Sequence, residues 1–325
     1  MRASKGRFIT AAALLLLNVA ATRPASAHGL QFPGYTGVQM TRGPQNHLLV
    51  QAQVNGRPAS FLVDTGANLS FFRVDRAAAF GVTPSGAQKF RQGRAFPLAS
   101  IRELAIGSIA FGTIEVALAD SSQFRGTSSG AERSVDGVIG LDLLGRRRAL
   151  INCHTRQLFL RTDSNRGINL GPVTASLGFK RIPLGETREG GLTVPISLCG
   201  RRAQLIVDTG AFVTGFDDDA LRAFNLATKP SNLTTRGFDG KIRPVQLARI
   251  EDLRIGNVPI APQTFAVMDL YGKKKQQRAY TGINRIEYYA PRSPAAERIV
   301  GVLGNELLDQ RRVIIDLDSK SLFLK

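Results

Sequence analysis

Phe61-Leu62-Val63-Asp64-Thr65-Gly66-Ala67 and Leu205-Ile206-Val207-Asp208-Thr209-Gly210-Ala211 are two copies of one pattern. In each copy an apolar run rich in β-branched residues reads as a buried strand. The strand stops at a small carboxylate, a hydroxyl and a glycine. Glycine lacks Cβ, so it permits a sharp turn and lets another backbone approach closely. Such a turn presents the Asp at a strand end, where its carboxylate can face a cleft. A lone Asp-Thr-Gly carries little weight, since a given tripeptide arises by chance in a chain this long at on the order of a few per cent. Residues 38–67 and 182–211 carry more, because they align without a gap. Leu48/Leu192, Val50/Val194, Gly56/Gly200, Arg57/Arg201, Ala59/Ala203 and Val63/Val207 match besides the shared motif. Self-similarity of this kind marks an internal duplication.

Two further pieces are paired. Val138-Ile139-Gly140 leads into Leu141-Asp142-Leu143-Leu144, and Val302-Leu303-Gly304 leads into Asn305-Glu306-Leu307-Leu308. Each is followed by a matching tail, Gln157-Leu158-Phe159-Leu160 and Ser321-Leu322-Phe323-Leu324. On these motifs the chain resembles a two-lobed aspartic protease of the pepsin/retropepsin superfamily, of a bacterial exported type, each half being similar to a retropepsin protomer.

The resemblance covers nearly all of both halves. It implies an all-β fold of two pseudo-symmetric β-barrel lobes with a cleft between them and a few short helices. It implies Asp64 and Asp208 as the catalytic pair. Thr65 and Thr209 would then bond across the axis to the opposite loop, and Gly66 and Gly210 would offer backbone N–H groups to the carboxylates. It also implies a flap in each half, at residues 89–98 with Phe90, Gly93 and Phe96, and at residues 235–245 with Gly237 and Phe238. Neither interval holds a Tyr where pepsin-like enzymes place one. The plainer alternative is a duplicated barrel whose Asp residues only cap turns.

Hydrolysis of a peptide without metal or covalent intermediate needs a base to activate water and an acid to protonate the carbonyl oxygen and the leaving amine. Two carboxyl groups sharing one proton do both. Like charges this close cannot both ionise, so the protonation steps belong to the pair. The near-two-fold repeat predicts that the two loops meet at its axis. Ala67 and Ala211 stand where pepsin-like enzymes commonly carry Ser or Thr, whose hydroxyl can donate to a carboxylate and lower its pKa. Without those donors the singly protonated pair should persist to higher pH than in pepsin, with activity centred at roughly pH 5–6.

Residues 1–27 read as a signal peptide. Arg2, Lys5 and Arg7 form a basic start, residues 8–21 an apolar stretch, and Ala25-Ser26-Ala27 a small-residue cleavage site. The apolar stretch is shorter than the roughly 20 residues of a membrane span. The expectation is a periplasmic or secreted chain beginning at His28, with no transmembrane segment after leader removal. An N-terminal lobe is predicted at residues 28–162, an interlobe linker at 163–180, and a C-terminal lobe at 181–325. Within the first lobe, residues 48–54 and 59–63 flank the hairpin signal Asn55-Gly56-Arg57-Pro58. Residues 75–80 suggest one turn of helix, and 101–116 alternate with turns predicted at Gly107 and Gly112. Residues 271–298 form a longer insertion than their counterpart, 121–134.

The formal net charge is +18, of which Arg2, Lys5, Arg7 and Arg23 in the leader supply four, leaving +14. Such a surplus can hold a protein near anionic surfaces or acidic polypeptides; the plainer reading is an Arg-rich solvated surface. Arg146-Arg147-Arg148 and Lys273-Lys274-Lys275 lack the interleaved aromatics of single-strand nucleic-acid binding, so no nucleic-acid partner is expected. Of the two cysteines, Cys153 aligns with an apolar strand position and Cys199 with a hairpin turn, which leaves a disulfide open. The three histidines show no ligand spacing with Cys or carboxylates, so neither metal nor cofactor is expected. The expected partner is an extended peptide or protein substrate, paired with strand edges. One chain should suffice, since both halves carry an Asp. The rival reading is a non-catalytic module that uses the same fold to bind an extended segment of an envelope protein; a basic scaffold for anionic polymers has charge but no motif.

Overall fold

The computed structural model describes residues 31–32, 34–43, 45–91, 94–121, 135–162, 169–236, 242–270, 278–281, 284–287 and 298–325. The leader, Gly93, Gly237, Phe238 and Lys273-Lys274-Lys275 lie outside the described residues.

Each half is built on a hairpin. Leu48–Val54 pairs antiparallel with Arg57–Val63, and Leu192–Leu198 with Arg201–Val207. The turn residues Asn55 and Gly56 have φ +50° and +78°, and Cys199 and Gly200 have φ +50° and +73°. Both central residues are left-handed, as a two-residue hairpin loop of the twist-matching type requires. Burial alternates along Leu48–Val54, with residues 48, 50, 52 and 54 inward, the period of a strand with one face on a core. Cys153 is buried, Cys199 is exposed, and both are free thiols.

The second strand of each hairpin runs into the repeated motif, and a short strand from far along the chain is threaded beside it. Gly137–Ile139 lies between Arg57–Val63, to which it is parallel, and Phe71–Arg73, to which it is antiparallel. Ile299–Leu303 lies in the same way between Arg201–Val207 and Gly215–Asp217. This close threading accounts for Gly137 and Gly301, just before the second paired motif, while the motif's own Gly140 lies against the loop after Asp64. A Cβ on Gly137 or Gly301 would collide with the backbone oxygen of Phe71 or Gly215, and one on Gly140 would lie 2.6 Å from the Leu69 oxygen.

In the first lobe Arg94–Ile106 pairs with Thr83–Arg91 and Ile109–Ala119, and its far end pairs with Leu48–Val54. That last pairing closes a six-stranded barrel. Gly107 is a turn, but Gly112 is not. It lies inside Ile109–Ala119 at φ +69°, opposite Leu104, where the register slips. A left-handed glycine inserted this way bends a strand without ending it. The second lobe breaks the same two strands, between Ile242–Ile250 and Leu253–Ile255 and between Val258–Ile260 and Gln263–Met268. Pro262 stands in the second break and has no N–H to give a ladder. Residues 75–80 fall within the short helix Val74–Ala77 and the 3-10 turn Ala78–Phe80.

One sheet joins the lobes. Its order is residues 31–32, 35–39, 157–161, 150–152, 314–316, 321–324 and 180–183. Leu150–Asn152 pairs antiparallel with Ile314–Asp316 at its centre, so equivalent strands of the two halves meet at the pseudo-two-fold axis. Ile151, Leu158, Ile315 and Leu322 enter the main core. Leu150, Phe159, Ile314 and Phe323 form a separate cluster on the other face. Tyr35 and, around the helix Gly171–Ser176, Leu170, Leu177 and Phe179 complete that cluster. The interval 163–180, expected as linker alone, therefore carries a helix in its described part and begins a strand at Lys180.

The arginine run is engaged structurally. The guanidinium of Arg147 lies 5.2 Å from the Phe111 ring centroid, and Arg148 pairs with Asp318 at 2.8 Å. Among the described residues no helix is long and apolar enough to cross a membrane.

Candidate active site

Asp64 and Asp208 stand at the ends of their strands, each held by the strand threaded beside it. The N–H of Asp64 donates to the Ile139 oxygen at 3.0 Å, and that of Asp208 to the Leu303 oxygen at 3.1 Å. The next residue links the lobes. The N–H of Thr65 donates to Thr209 Oγ1 at 3.0 Å, and that of Thr209 to Thr65 Oγ1 at 3.1 Å. Thr65 Oγ1 donates to the Val207 oxygen and Thr209 Oγ1 to the Val63 oxygen, both at 2.7 Å. Each hydroxyl thus gives one bond and accepts one. Both threonines are fully buried, and a satisfied polar network in a dry interior is rigid.

This network brings the carboxyl groups together. The N–H of Gly66 donates to Asp64 Oδ1 at 2.8 Å, and that of Gly210 to Asp208 Oδ1 at 2.9 Å. A Cβ on Gly66 would lie 2.5 Å from the Asp208 Cγ, and one on Gly210 2.5 Å from the Asp64 Cγ. Each carboxyl therefore rests on the glycine of the opposite loop, and only a glycine fits there. The two side chains hydrogen-bond to each other, and each Asp is 4% exposed.

Burial, then the charge of Asp208 and the bond between them, push the Asp64 carboxyl well above the usual carboxylate range, against the pull of the Gly66 and Ala67 N–H groups. Burial also pushes Asp208 up, opposed by the bond from Asp64 and by the N–H groups of Gly210 and Ala211. Both carboxyl groups are thus raised, and two so close cannot both ionise, so one proton belongs to the pair.

A second ring of bonds holds the loops. The N–H of Gly140 donates to Ser70 Oγ at 3.0 Å, and Ser70 Oγ donates to Asp142 Oδ1 at 2.6 Å. In the other half the N–H of Gly304 donates to Thr214 Oγ1 at 3.0 Å, and the N–H of Thr214 to Glu306 Oε2 at 2.6 Å. The sequence reading did not single out Ser70, Thr214, Asp142 or Glu306. Their signal was present, since each hydroxyl and each acid recurs at equivalent positions of the repeat.

The flap residues are placed less completely. Thr83–Arg91 and Arg94–Ile106 form a hairpin whose register pairs Arg91 with Arg94. Phe90 lies near its end, and Gly93 falls outside the described residues. Phe96 is buried, packing edge-on against Phe71 at 5.4 Å between centroids. It therefore fills the core beneath the hairpin. In the second lobe Lys229–Arg236 pairs with Ile242–Ile250, where Leu233 and Ile242 are exposed; Gly237 and Phe238 lie outside the described residues. Among the described residues no cluster of three His, Cys, Asp or Glu could hold a metal ion.

One acid outside the pair carries a stability prediction. Asp217 accepts the N–H of Ala220 at 2.9 Å as the cap of Asp218–Ala223, and burial pushes its pKa up to about 6. A carboxyl raised in the folded state contributes stability below its unfolded pKa, and loses it as pH rises through the folded value. Denaturant unfolding should show the wild type gaining about 1 kcal/mol more between pH 7 and pH 5 than Asp217→Asn does. Equal gains in the two proteins would refute it.

The aspartyl protease family model matches residues 50–143 and 194–307 of the chain. Among solved structures, an aspartic proteinase from Irpex lacteus is similar over 89% of this chain and 96% of that one, at 16% identity and a TM-score of 0.47. No curated protein matches in sequence.

Proposed function

The chain belongs to the aspartyl protease family, and on that premise we propose that it is an exported endopeptidase using a water activated between Asp64 and Asp208. The observation that carries this reading is the pair of buried carboxyl groups, hydrogen-bonded across the lobe boundary and cushioned on Gly66 and Gly210. The ionised member of the pair takes a proton from the water as it attacks the peptide carbonyl. The protonated member gives its proton to the carbonyl oxygen, so the tetrahedral intermediate is a neutral diol. The first carboxyl then passes its proton to the leaving nitrogen, and the second recovers one from the diol as the C–N bond breaks. Neither carboxyl needs a metal or a covalent bond to the substrate. The basic start, apolar stretch and small-residue site of residues 1–27 support export.

The substrate is an extended peptide lying between the lobes, its backbone pairing with the hairpins at residues 83–106 and 229–250. Incubation of the chain from His28 onward with a peptide library should give endoproteolytic cleavage, blocked by a pepstatin-type inhibitor. The profile of kcat/KM against pH should be a bell centred at roughly pH 5–6. Ala67→Ser with Ala211→Ser should move its upper limb to lower pH, because each hydroxyl adds a donor to a carboxylate. Activity per molecule should stay constant on dilution through the nanomolar range, since one chain carries both Asp residues. Tight peptide binding without cleavage at any pH would replace the protease reading with that of a peptide-binding module.

A further inference from the structure

The two halves of the joining sheet are built alike, bond for bond. Residues 148–161 and 312–325 align without a gap. The N–H of Arg161 donates to the Arg147 oxygen and that of Lys325 to the Arg311 oxygen, both at 2.9 Å. After each central strand the chain turns over one side-chain oxygen. Asp316 Oδ1 accepts the N–H groups of Asp318 and Ser319 at 2.9 and 3.1 Å. Asn152 Oδ1 accepts those of His154 and Thr155 at 3.2 and 3.0 Å.

On this common frame the charges differ. At one end two cations share one carboxyl: Arg148 donates to Asp318 Oδ1 at 2.8 Å and Arg161 to Asp318 Oδ2 at 3.0 Å. The residues aligned with Arg148 and Arg161 at the other end are Arg312 and Lys325, so both cations recur. The residue aligned with Asp318 is His154, and the one aligned with Asp316 is Asn152. Neither acid recurs.

At that end there is a cavity of about 70 Å³. Asn152, His154, Arg312 and Lys325 line it, with Leu177 and Phe179 as its apolar wall. A water molecule needs only about 10–15 Å³ of such space, so a polyatomic guest fits. Among the described residues no Asp or Glu side chain lines the cavity. Asp309, the nearest acid to His154, accepts from its Nδ1 at 2.9 Å and pairs with Arg42 at 3.0 Å, outside the lining. Lys325 Nζ lies 5.7 Å from the Phe179 ring centroid, which keeps the ammonium against the apolar wall.

We infer that this cavity is a binding site for a small oxyanion, a phosphate or a carboxylate, which takes between Arg312 and Lys325 the place that the Asp318 carboxyl holds between Arg148 and Arg161. A guanidinium fork and an ammonium both form short charge-assisted bonds to such oxygens. The surplus of +14 outside the leader raises the anion concentration near the surface. Asn152 and His154 belong to the first lobe and Arg312 and Lys325 to the second, so the bound anion ties the two halves of the sheet together. The inference does not depend on the protease reading, because binding is measured without substrate.

The test is calorimetric titration of the full chain with sodium phosphate at pH 7, against sodium chloride of equal ionic strength. Phosphate should bind saturably, one per chain, with a Kd of about 1 mM. Acetate, with one charge for two cations, should bind more weakly; tighter binding by acetate assigns the guest as a carboxylate. Arg312→Gln with Lys325→Gln, both exposed side chains, should weaken phosphate binding by at least about tenfold. Arg102→Gln with Arg202→Gln removes the same charge from exposed positions elsewhere and should leave it unchanged. His154→Asp should weaken binding as the Arg312 and Lys325 double variant does, because its carboxyl recreates the arrangement around Asp318. Should His154→Asp not fold, Asn152→Asp takes its place, since its Oδ1 can keep both N–H donors. No saturable binding to the wild type, wild-type binding in either cavity variant, or an equal loss in the charge-matched control overturns the inference.

Discussion

Asp64→Asn and Asp208→Asn are each expected to remove peptide-bond cleavage, with kcat falling on the order of 10⁴-fold or more, and the double variant is expected to be no worse. An amide cannot ionise to take a proton from water, and it cannot hand one to the carbonyl oxygen. The two carboxyl groups act as one unit, so once either is lost the other has no chemistry left to contribute. Asn fits the same space, and its Oδ1 can still accept the Gly66 or Gly210 N–H that each Asp accepts now. Stability should therefore be unchanged or slightly higher, because the buried negative charge is gone. Kinetic assays beside denaturant unfolding separate the two effects. Either single variant retaining full activity would end the mechanism.

The second large effect is on folding. Gly301→Ala is expected to cost more than about 4 kcal/mol or to abolish folding, and Gly137→Ala to behave alike. A Cβ at either site would run into backbone, the Gly215 oxygen in one lobe and the Phe71 oxygen in the other. Backbone in a threaded sheet cannot move aside as the tip of a long side chain can. Gly145→Ala supplies the opposite sign. Gly145 lies in the helix Leu141–Arg146 with nothing near its missing Cβ, so the change should stabilise by about 0.5–1 kcal/mol. Denaturant midpoints of the three variants check the set. A Gly301→Ala protein of near wild-type stability would show that the threaded strand is looser than it looks.

By itself the sequence determined what is local and what is repeated. Hairpins at Asn55-Gly56 and Cys199-Gly200 follow from turn chemistry that two residues carry. Asp64 and Asp208 were legible because duplication places the same short motif in both halves. The glycines of Val138-Ile139-Gly140 and Val302-Leu303-Gly304 were visible as a pair, although their cause, the backbone of residues 67–69 and 213–214 lying against them, was not. What depended on contacts between distant segments was left to the tertiary structure. Gly112 reads as a turn by composition, yet the pairing of Ile109–Ala119 with Arg94–Ile106 absorbs it as a bulge. Residues 169–180 show no clear period, and it is the joining sheet that draws Leu170, Leu177 and Phe179 onto its far face. The closed ring of bonds between Thr65 and Thr209 spans 144 residues of chain. The raised carboxyl pKa values come from burial, which no residue carries alone.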